Sequence, residues 1–258
     1  MNILEQIAAK TRERVSAGKK QFGNTLPERS VPLCPFFTKG GVTLIAECKK
    51  ASPSRGVMVP EYHPDRLARA CAAGGATALS VLTEPDFFLG ATEHLALVRE
   101  AVGLPVLRKD FMLDAWQIRE SHSLGADCIL LIAALLPDAV LRNLAEQALE
   151  LGMEVLLETH NEDELARAAA LPATAIGINA RDLATFAMDL DRVRRLRDRI
   201  PPDRIAVAES GLLSAAAFRG MAAAGFDGFL CGEYFATAPD PAARVREALA
   251  AIREALPC

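Results

Sequence analysis

Apolar residues in this chain gather in short runs, and a charged or amide side chain closes many of them at the C-terminal end. Leu44-Ile45-Ala46 leads to Glu47, Val106-Leu107 to Lys109 one residue on, Val155-Leu156-Leu157 to Glu158, Ile176-Gly177-Ile178 to Asn179, and Ala206-Val207-Ala208 to Glu209. The runs predict strands over Val42–Glu47, Thr77–Thr83, Val106–Lys109, Asp127–Ile132, Glu154–Glu158, Ala175–Asn179, Arg204–Glu209 and Gly228–Gly232. They begin about 20 to 35 residues apart, the spacing that a strand plus a returning helix needs.

Amphipathic stretches fill the intervals: Pro64–Ala73, Thr92–Ala101, Ala115–Leu124, Asp138–Leu151, Glu162–Ala170, Leu190–Arg199, Ser214–Ala224 and Pro241–Leu256. Asp114, Asn161 and Ser214 are placed to cap helix starts, and Gly74, Gly125, Gly152 and Gly225 to supply left-handed residues after helix ends. A polar helix over roughly residues 2 to 20 and a loop holding Pro27, Pro32 and Pro35 come first. Strands apolar on both faces are covered on both faces. Eight such units without a compositional break predict a single (β/α)8 barrel over residues 1–258, with 1–41 as an N-terminal helical extension and loop covering part of one barrel end. An open sheet for a dinucleotide would carry a glycine-rich turn after its first strand, and Ala51-Ser52-Pro53-Ser54-Arg55-Gly56 is not one.

Composition adds exclusions. Of 258 residues, 29 are basic and 33 acidic, so a net charge of −4 offers no general attraction to nucleic acid or an anionic membrane. The apolar stretch Cys128 to Leu136 is too short to span a bilayer, and MNILEQIAAKTRERV lacks the apolar centre of a signal peptide. A cytoplasmic protein is expected. Cys34, Cys48, Cys71, Cys128, Cys231 and Cys258 form no metal-ligand spacing and read as reduced thiols, with Cys48, Cys128 and Cys231 packed as small hydrophobes. His63, His94, His122 and His160 fall on helices or helix starts, which points to surface or capping duty.

In a closed parallel barrel all the strand C-termini open on one face, so the polar closures of the runs converge there. Side chains alternate along a strand, which puts Glu47 and Lys49 on the inner side and Cys48 on the outer. With Lys109, Glu158, Asn179, Arg181, Glu209 and Ser210 they make a ring of alternating charge suited to acid–base work. Lys49 and Lys109 are expected to lower one another's pKa. Two turns, Glu209-Ser210-Gly211 and Cys231-Gly232-Glu233, follow the seventh and eighth strands, where barrels often hold a phosphate; tight-turn duty explains the glycines equally well.

The segments LIAECKKASPSRG (44 to 56), LSVLTEPDFFLG (79 to 90), VLRKDFMLDAWQI (106 to 118), GADCILLIAALL (125 to 136), EVLLETHNEDEL (154 to 165), GINARDLATFAMDL (177 to 190), AESG (208 to 211) and FLCGE (229 to 233) resemble, in order, the motifs of indole-3-glycerol phosphate synthases. The resemblance implies a TIM barrel that closes the pyrrole ring of 1-(2-carboxyphenylamino)-1-deoxyribulose 5-phosphate with loss of carbon dioxide and water, using no cofactor or metal. It implies Lys109 as the acid that protonates the ketone oxygen, Glu158 as acid or base in the dehydration, Lys49 and Glu47 as its charged partners, and Asn179 as an orienting donor. Ser52, Ser210, Gly211, Gly232 and Glu233 resemble a phosphate shell, with Arg181 and Glu209 nearby. Phe87, Phe88, Phe111 and Leu130 would wall the aromatic ring, with core packing an equal reading for Phe111 and Leu130. The chain departs from the family at Tyr234-Phe235-Ala236, where serine, leucine and methionine are usual, so a tighter phosphate rim is expected. The rival readings are another phosphate-binding barrel enzyme, namely phosphoribosylanthranilate isomerase or a Schiff-base aldolase, and a non-catalytic barrel subunit. Pathway partner enzymes are compatible with the sequence but not legible in it.

Overall fold

The continuous apolar strands are buried on both faces because one face meets the barrel interior and the other a layer of helices. The structure is a computed structural model describing residues 2–23, 26–38, 40–182 and 185–256; Cys258 lies outside the described residues. Among them β1 (Thr43–Cys48), β2 (Ala78–Leu82), β3 (Val106–Lys109), β4 (Cys128–Ile132), β5 (Glu154–Thr159), β6 (Ala175–Asn179), β7 (Ile205–Glu209) and β8 (Gly228–Cys231) pair in parallel, each with the next. Pairing of β8 with β1 closes the barrel. No helix among the described residues is long and apolar enough to cross a membrane.

Helix α1 (Ile3–Phe22) precedes the barrel. The others follow the strands: α2 (Pro64–Gly74), α3 (Thr92–Ala101), α4 (Ala115–Ser123), α5 (Asp138–Glu150), α6 (Glu162–Ala169), α7 (Leu190–Leu196), α8 (Ala215–Ala223), the short α9 (Glu233–Ala236) and α10 (Pro241–Arg253). Asp114, Asn161 and Ser214 cap α4, α6 and α8 through their side chains, as expected. The glycine after α2 is shifted by one. Gly74 ends the helix against α10, where a Cβ would meet Ala242 O at 2.6 Å, and Gly75 takes the left-handed turn (φ 101°). A two-residue hairpin, Ala51–Ser52 with Gly56–Val57, was not legible in the hydrophobic pattern, because such short strands carry no periodicity.

The interior packs as two apolar shells. Leu44, Leu79, Val81, Ile129, Leu157 and their neighbours face the helices, while Ile45, Leu107, Cys128, Leu156, Val207 and Leu230 fill the barrel. Phe36 and Phe37 join this inner shell, and their N–H groups donate to the Glu154 carboxylate at the start of β5, 3.3 and 3.1 Å away. That end is thereby plugged, and each buried ring contributes about 2–3 kcal/mol. At the same end Asp127 accepts from Arg29 and Arg99 at 2.7 Å each and from the N–H groups of Cys34 and Val106.

The other end is partly covered by α1, which turns Ile3, Leu4 and Ile7 toward the mouth. Arg14 anchors it. Its guanidinium donates to Glu84 (2.8 Å), Asp86 (3.1 Å) and Asp110 (3.2 Å), tying α1 to the loops after β2 and β3.

Candidate active site

At the mouth the inner shell changes from aliphatic to charged in one step. Two residues beyond Ile45, Leu107, Leu156 and Val207 on alternate strands stand Glu47, Lys109, Glu158 and Glu209. A layer of four inward side chains from alternate strands is the packing unit of this barrel, and here its last layer holds three acids and one lysine. Room for it comes from missing side chains on the strands between. A Cβ on Gly177 would lie 1.9 Å from Glu209 Oε1, and one on Gly232 would lie 2.5 Å from Glu47 Oε1.

Lys109 Nζ donates to Glu158 Oε2 at 3.2 Å and lies 3.6 Å from Glu209 Oε2. Burial opposes its charge, yet Glu158, Glu209 and Glu47 outweigh burial and raise its pKa above the ordinary lysine value. This corrects the expectation for Lys109, which Lys49 was to lower. Each lysine has a carboxylate as its partner: Lys49 Nζ donates to Glu47 Oε1 in a short contact. Burial also pushes the Glu158 carboxyl upward, but Lys109 and His160 hold it well below the usual range. Glu209, buried beside the Glu158 charge, is pushed the other way, well above the usual carboxylate range.

Glu47, Lys49, Ser52, Phe88, Lys109, Phe111, Leu130, Glu158, Asn179, Arg181, Ser210, Gly211, Gly232 and Glu233 all border one cavity in this mouth. Two expected residues do not. Glu209 lies beneath the wall as the partner of Lys109, and Phe87 packs against the inner apolar shell behind Phe88. The Glu84 carboxylate sets both rings by accepting the N–H groups of Phe87 (2.7 Å) and Phe88 (3.0 Å), and Phe88 meets Phe111 with ring centres 6.0 Å apart. Asn179 Oδ1 accepts the Arg181 N–H at 2.9 Å, and the Arg181 guanidinium donates to Ser54 Oγ at 2.9 Å.

After β7, Ser210 (φ 64°) and Gly211 (φ 72°) are both left-handed, a bend that costs serine roughly 1–2 kcal/mol. After β8, Gly232 caps the short α9. The rim there is not tightened: Tyr234 turns outward against Phe218 and Phe235, under the Arg244 guanidinium, and does not border the cavity. Cys48 faces the helices as expected, and burial pushes its thiol well up. No group of three or more His, Cys, Asp or Glu side chains among the described residues is arranged to hold a metal ion.

Sequence reasoning passed over Ile3, Leu4 and Ile7 of α1, and Ser54, Phe186, Met188 and Leu213 on the loops, all of which border the cavity. It also gave His160 surface or capping duty. The structure buries it, with Nε2 3.3 Å from Glu158 Oε1 and Nδ1 3.1 Å from Glu164 Oε2. The signal was present: His160 stands two residues after Glu158, the same spacing that paired Glu47 with Lys49.

The family model for indole-3-glycerol phosphate synthase matches residues 4–248 of this chain. An indole-3-glycerol phosphate synthase of Azospirillum brasilense is 49% identical over 211 residues, 82% of this chain and 80% of that protein. Among solved structures, 3-hexulose-6-phosphate synthase from Salmonella typhimurium superposes with a TM-score of 0.67 at 15% identity, covering 83% of this chain and 100% of that one. Orotidine 5'-phosphate decarboxylase from Pyrococcus horikoshii does so with a TM-score of 0.63 at 14% identity, covering 82% and 99%. At those identities the likeness is one of fold.

Proposed function

The chain belongs to the indole-3-glycerol phosphate synthase family, and from that premise we propose how its mouth divides the chemistry. The reaction is a carboxy-lyase step of tryptophan biosynthesis: 1-(2-carboxyphenylamino)-1-deoxyribulose 5-phosphate cyclises to indole-3-glycerol phosphate. The ring carbon bearing the carboxylate bonds to the ketone carbon, the carboxylate leaves as carbon dioxide, and the resulting hydroxyl leaves as water.

Lys109 donates the proton to the ketone oxygen as the carbon–carbon bond forms. Its carboxylate neighbours keep it an ammonium at neutral pH, and the alkoxide it meets is more basic still. The Glu158 carboxylate stabilises positive charge on the substrate nitrogen and then serves the dehydration as base or acid. Lys49, held by Glu47, is the second proton carrier, and Asn179 orients the substrate. Phe88, Phe111 and Leu130 wall the aromatic ring. Ser52 with Ser210, Gly211, Gly232 and Glu233 receives the phosphate, a placement supported by the preference of barrels for the loops after strands 7 and 8 and a short following helix. Arg181 attracts the substrate's carboxylate or phosphate. The cytoplasm is proposed as its compartment, in keeping with free thiols at Cys34, Cys48, Cys71, Cys128 and Cys231.

The observation that carries this reading is the Lys109 ammonium seated between Glu158 and Glu209 on the cavity floor. It also separates the site from a Schiff-base aldolase, whose lysine must reach the free amine. The test is direct: the purified chain, given the carboxyphenylamino deoxyribulose phosphate alone, generates indole fluorescence. Lys109→Ala is expected to lower kcat by about 10²–10⁴-fold with the circular dichroism spectrum unchanged. Wild-type-like turnover by that variant would remove Lys109 from its role.

A further inference from the structure

Each oxygen of Glu158 has a basic side chain beside it. Lys109 Nζ takes Oε2 at 3.2 Å from the cavity side, and His160 Nε2 lies 3.3 Å from Oε1 on the side away from it. His160 is buried and does not border the cavity, so it reaches substrate only through Glu158. Its other ring nitrogen, Nδ1, lies 3.1 Å from Glu164 Oε2. Glu164 is itself fixed: its Oε2 accepts the His160 N–H at 2.8 Å, its Oε1 accepts Asn161 Nδ2 at 2.7 Å, and its own N–H donates to Asn161 Oδ1 at 2.9 Å. The first turn of α6 thus holds one carboxylate, that carboxylate holds an imidazole, and the imidazole meets the carboxylate at the end of β5.

We infer that His160, oriented by Glu164, is a positioning residue that aims Glu158 at the substrate and sets the pH range over which it works. The inference rests on the proposed role of Glu158. The charged groups facing this pair are few. Glu158 on β5 and Glu164 on α6 flank the imidazole, while Lys109 on β3 and Glu209 on β7 face Glu158 from the barrel. Burial disfavours the imidazolium, but its two carboxylate neighbours win and carry its pKa up to about 9. At neutral pH a cation therefore stands behind Glu158, which keeps Glu158 an anion between two positive groups. In the dehydration, where the carboxylate must take and return a proton, the same cation limits how readily it does so.

His160→Ala is expected to lower kcat by about 10–100-fold, the range typical of a lost orienting partner, with KM changed less than about twofold. Loss of the cation also makes Glu158 easier to protonate, so the acid limb of the kcat profile moves up by about one pH unit. His160→Gln keeps a donor toward Glu158 without the charge; it is expected to recover part of kcat while the limb stays displaced. A role in packing alone would leave the limb in place. An NMR titration of the imidazole in the wild-type chain, without substrate, should give a midpoint near 9 that falls in Glu158→Gln. His160→Ala with kcat within twofold of wild type and an unmoved limb overturns the inference, and so does an imidazole that titrates near 6.5 in the folded protein. Should His160→Ala fail to fold, Glu164→Gln and the titration decide. A wild-type chain that makes no indole product, or a fully active Glu158→Gln, would instead sink the reading of the reaction on which this one stands.

Discussion

Gly177 carries no side chain because the Glu209 carboxyl occupies the space one would fill. The result is a buried acid that holds its proton more tightly than in water beside one that holds it less tightly, and this has a signed consequence for stability. The Glu209 pKa is raised in the folded chain, so above the unfolded value near 4.3 the folded state binds the extra proton and stability falls as pH rises through that window. Glu158 works oppositely: its lowered pKa contributes stability above the unfolded value that is lost as pH falls. Glu209→Gln keeps a neutral group of the same size. Its stability relative to wild type is expected to climb as pH rises above the unfolded value of about 4.3, and urea midpoints measured at pH 5, 6 and 7 check the slope. A flat difference across that range would mean that Glu209 is ionised in the folded chain.

At the scale of elements, α1 is held to the barrel by an ion cluster as well as by its buried Ile7, Ala8 and Val15. Arg14 is the shared cation of the deeply buried Glu84 and Asp110, and Glu84 in turn sets the loop bearing Phe88. Arg14→Ala takes the guanidinium from Glu84 and leaves Asp110 with Arg108 alone, and is expected to cost roughly 1.5–3 kcal/mol in urea unfolding, with KM raised as the Phe88–Phe111 wall loosens. Arg12→Ala, on the exposed side, should stay within about 0.5 kcal/mol. The elements themselves were largely legible: strand and helix bounds shift by at most three residues, since an apolar run ending in an acid or lysine reads the same way in sequence and in space. Contacts between distant segments were not. Nothing in the string places α1 over the mouth or turns Tyr234 away from the phosphate rim, because both depend on how helices pack around the closed sheet. The sign of the Lys109 shift was missed for a related reason. Alternation told which groups face inward, but not that two carboxylates would stand 3.2 and 3.6 Å from that ammonium.

Across the whole molecule, binding and bracing lie at opposite ends of the barrel. The reacting groups stand at the strand C-termini, while the other end is closed by Phe36, Phe37 and the Asp127 cluster. Asp127→Ala would leave Arg29 and Arg99 buried without their carboxylate, at an expected cost of about 3–5 kcal/mol. The same variant, assayed where it remains folded, should keep kcat/KM within about twofold, because conserving the mouth is enough for turnover. A large loss of kcat/KM in the folded variant would show that the two ends are coupled.

The seat of α1 also governs what can be joined to this chain. Ile3 and Leu4 stand at the doorway, so cargo spliced ahead of Asn2 hangs beside the route by which substrate enters and product leaves. The last helix, α10, packs on the outer wall between α2 and α8 and runs down to the far side of the barrel. An affinity tag, a fluorescent reporter or a tether to a surface therefore belongs at the tail, where it leaves the entrance clear.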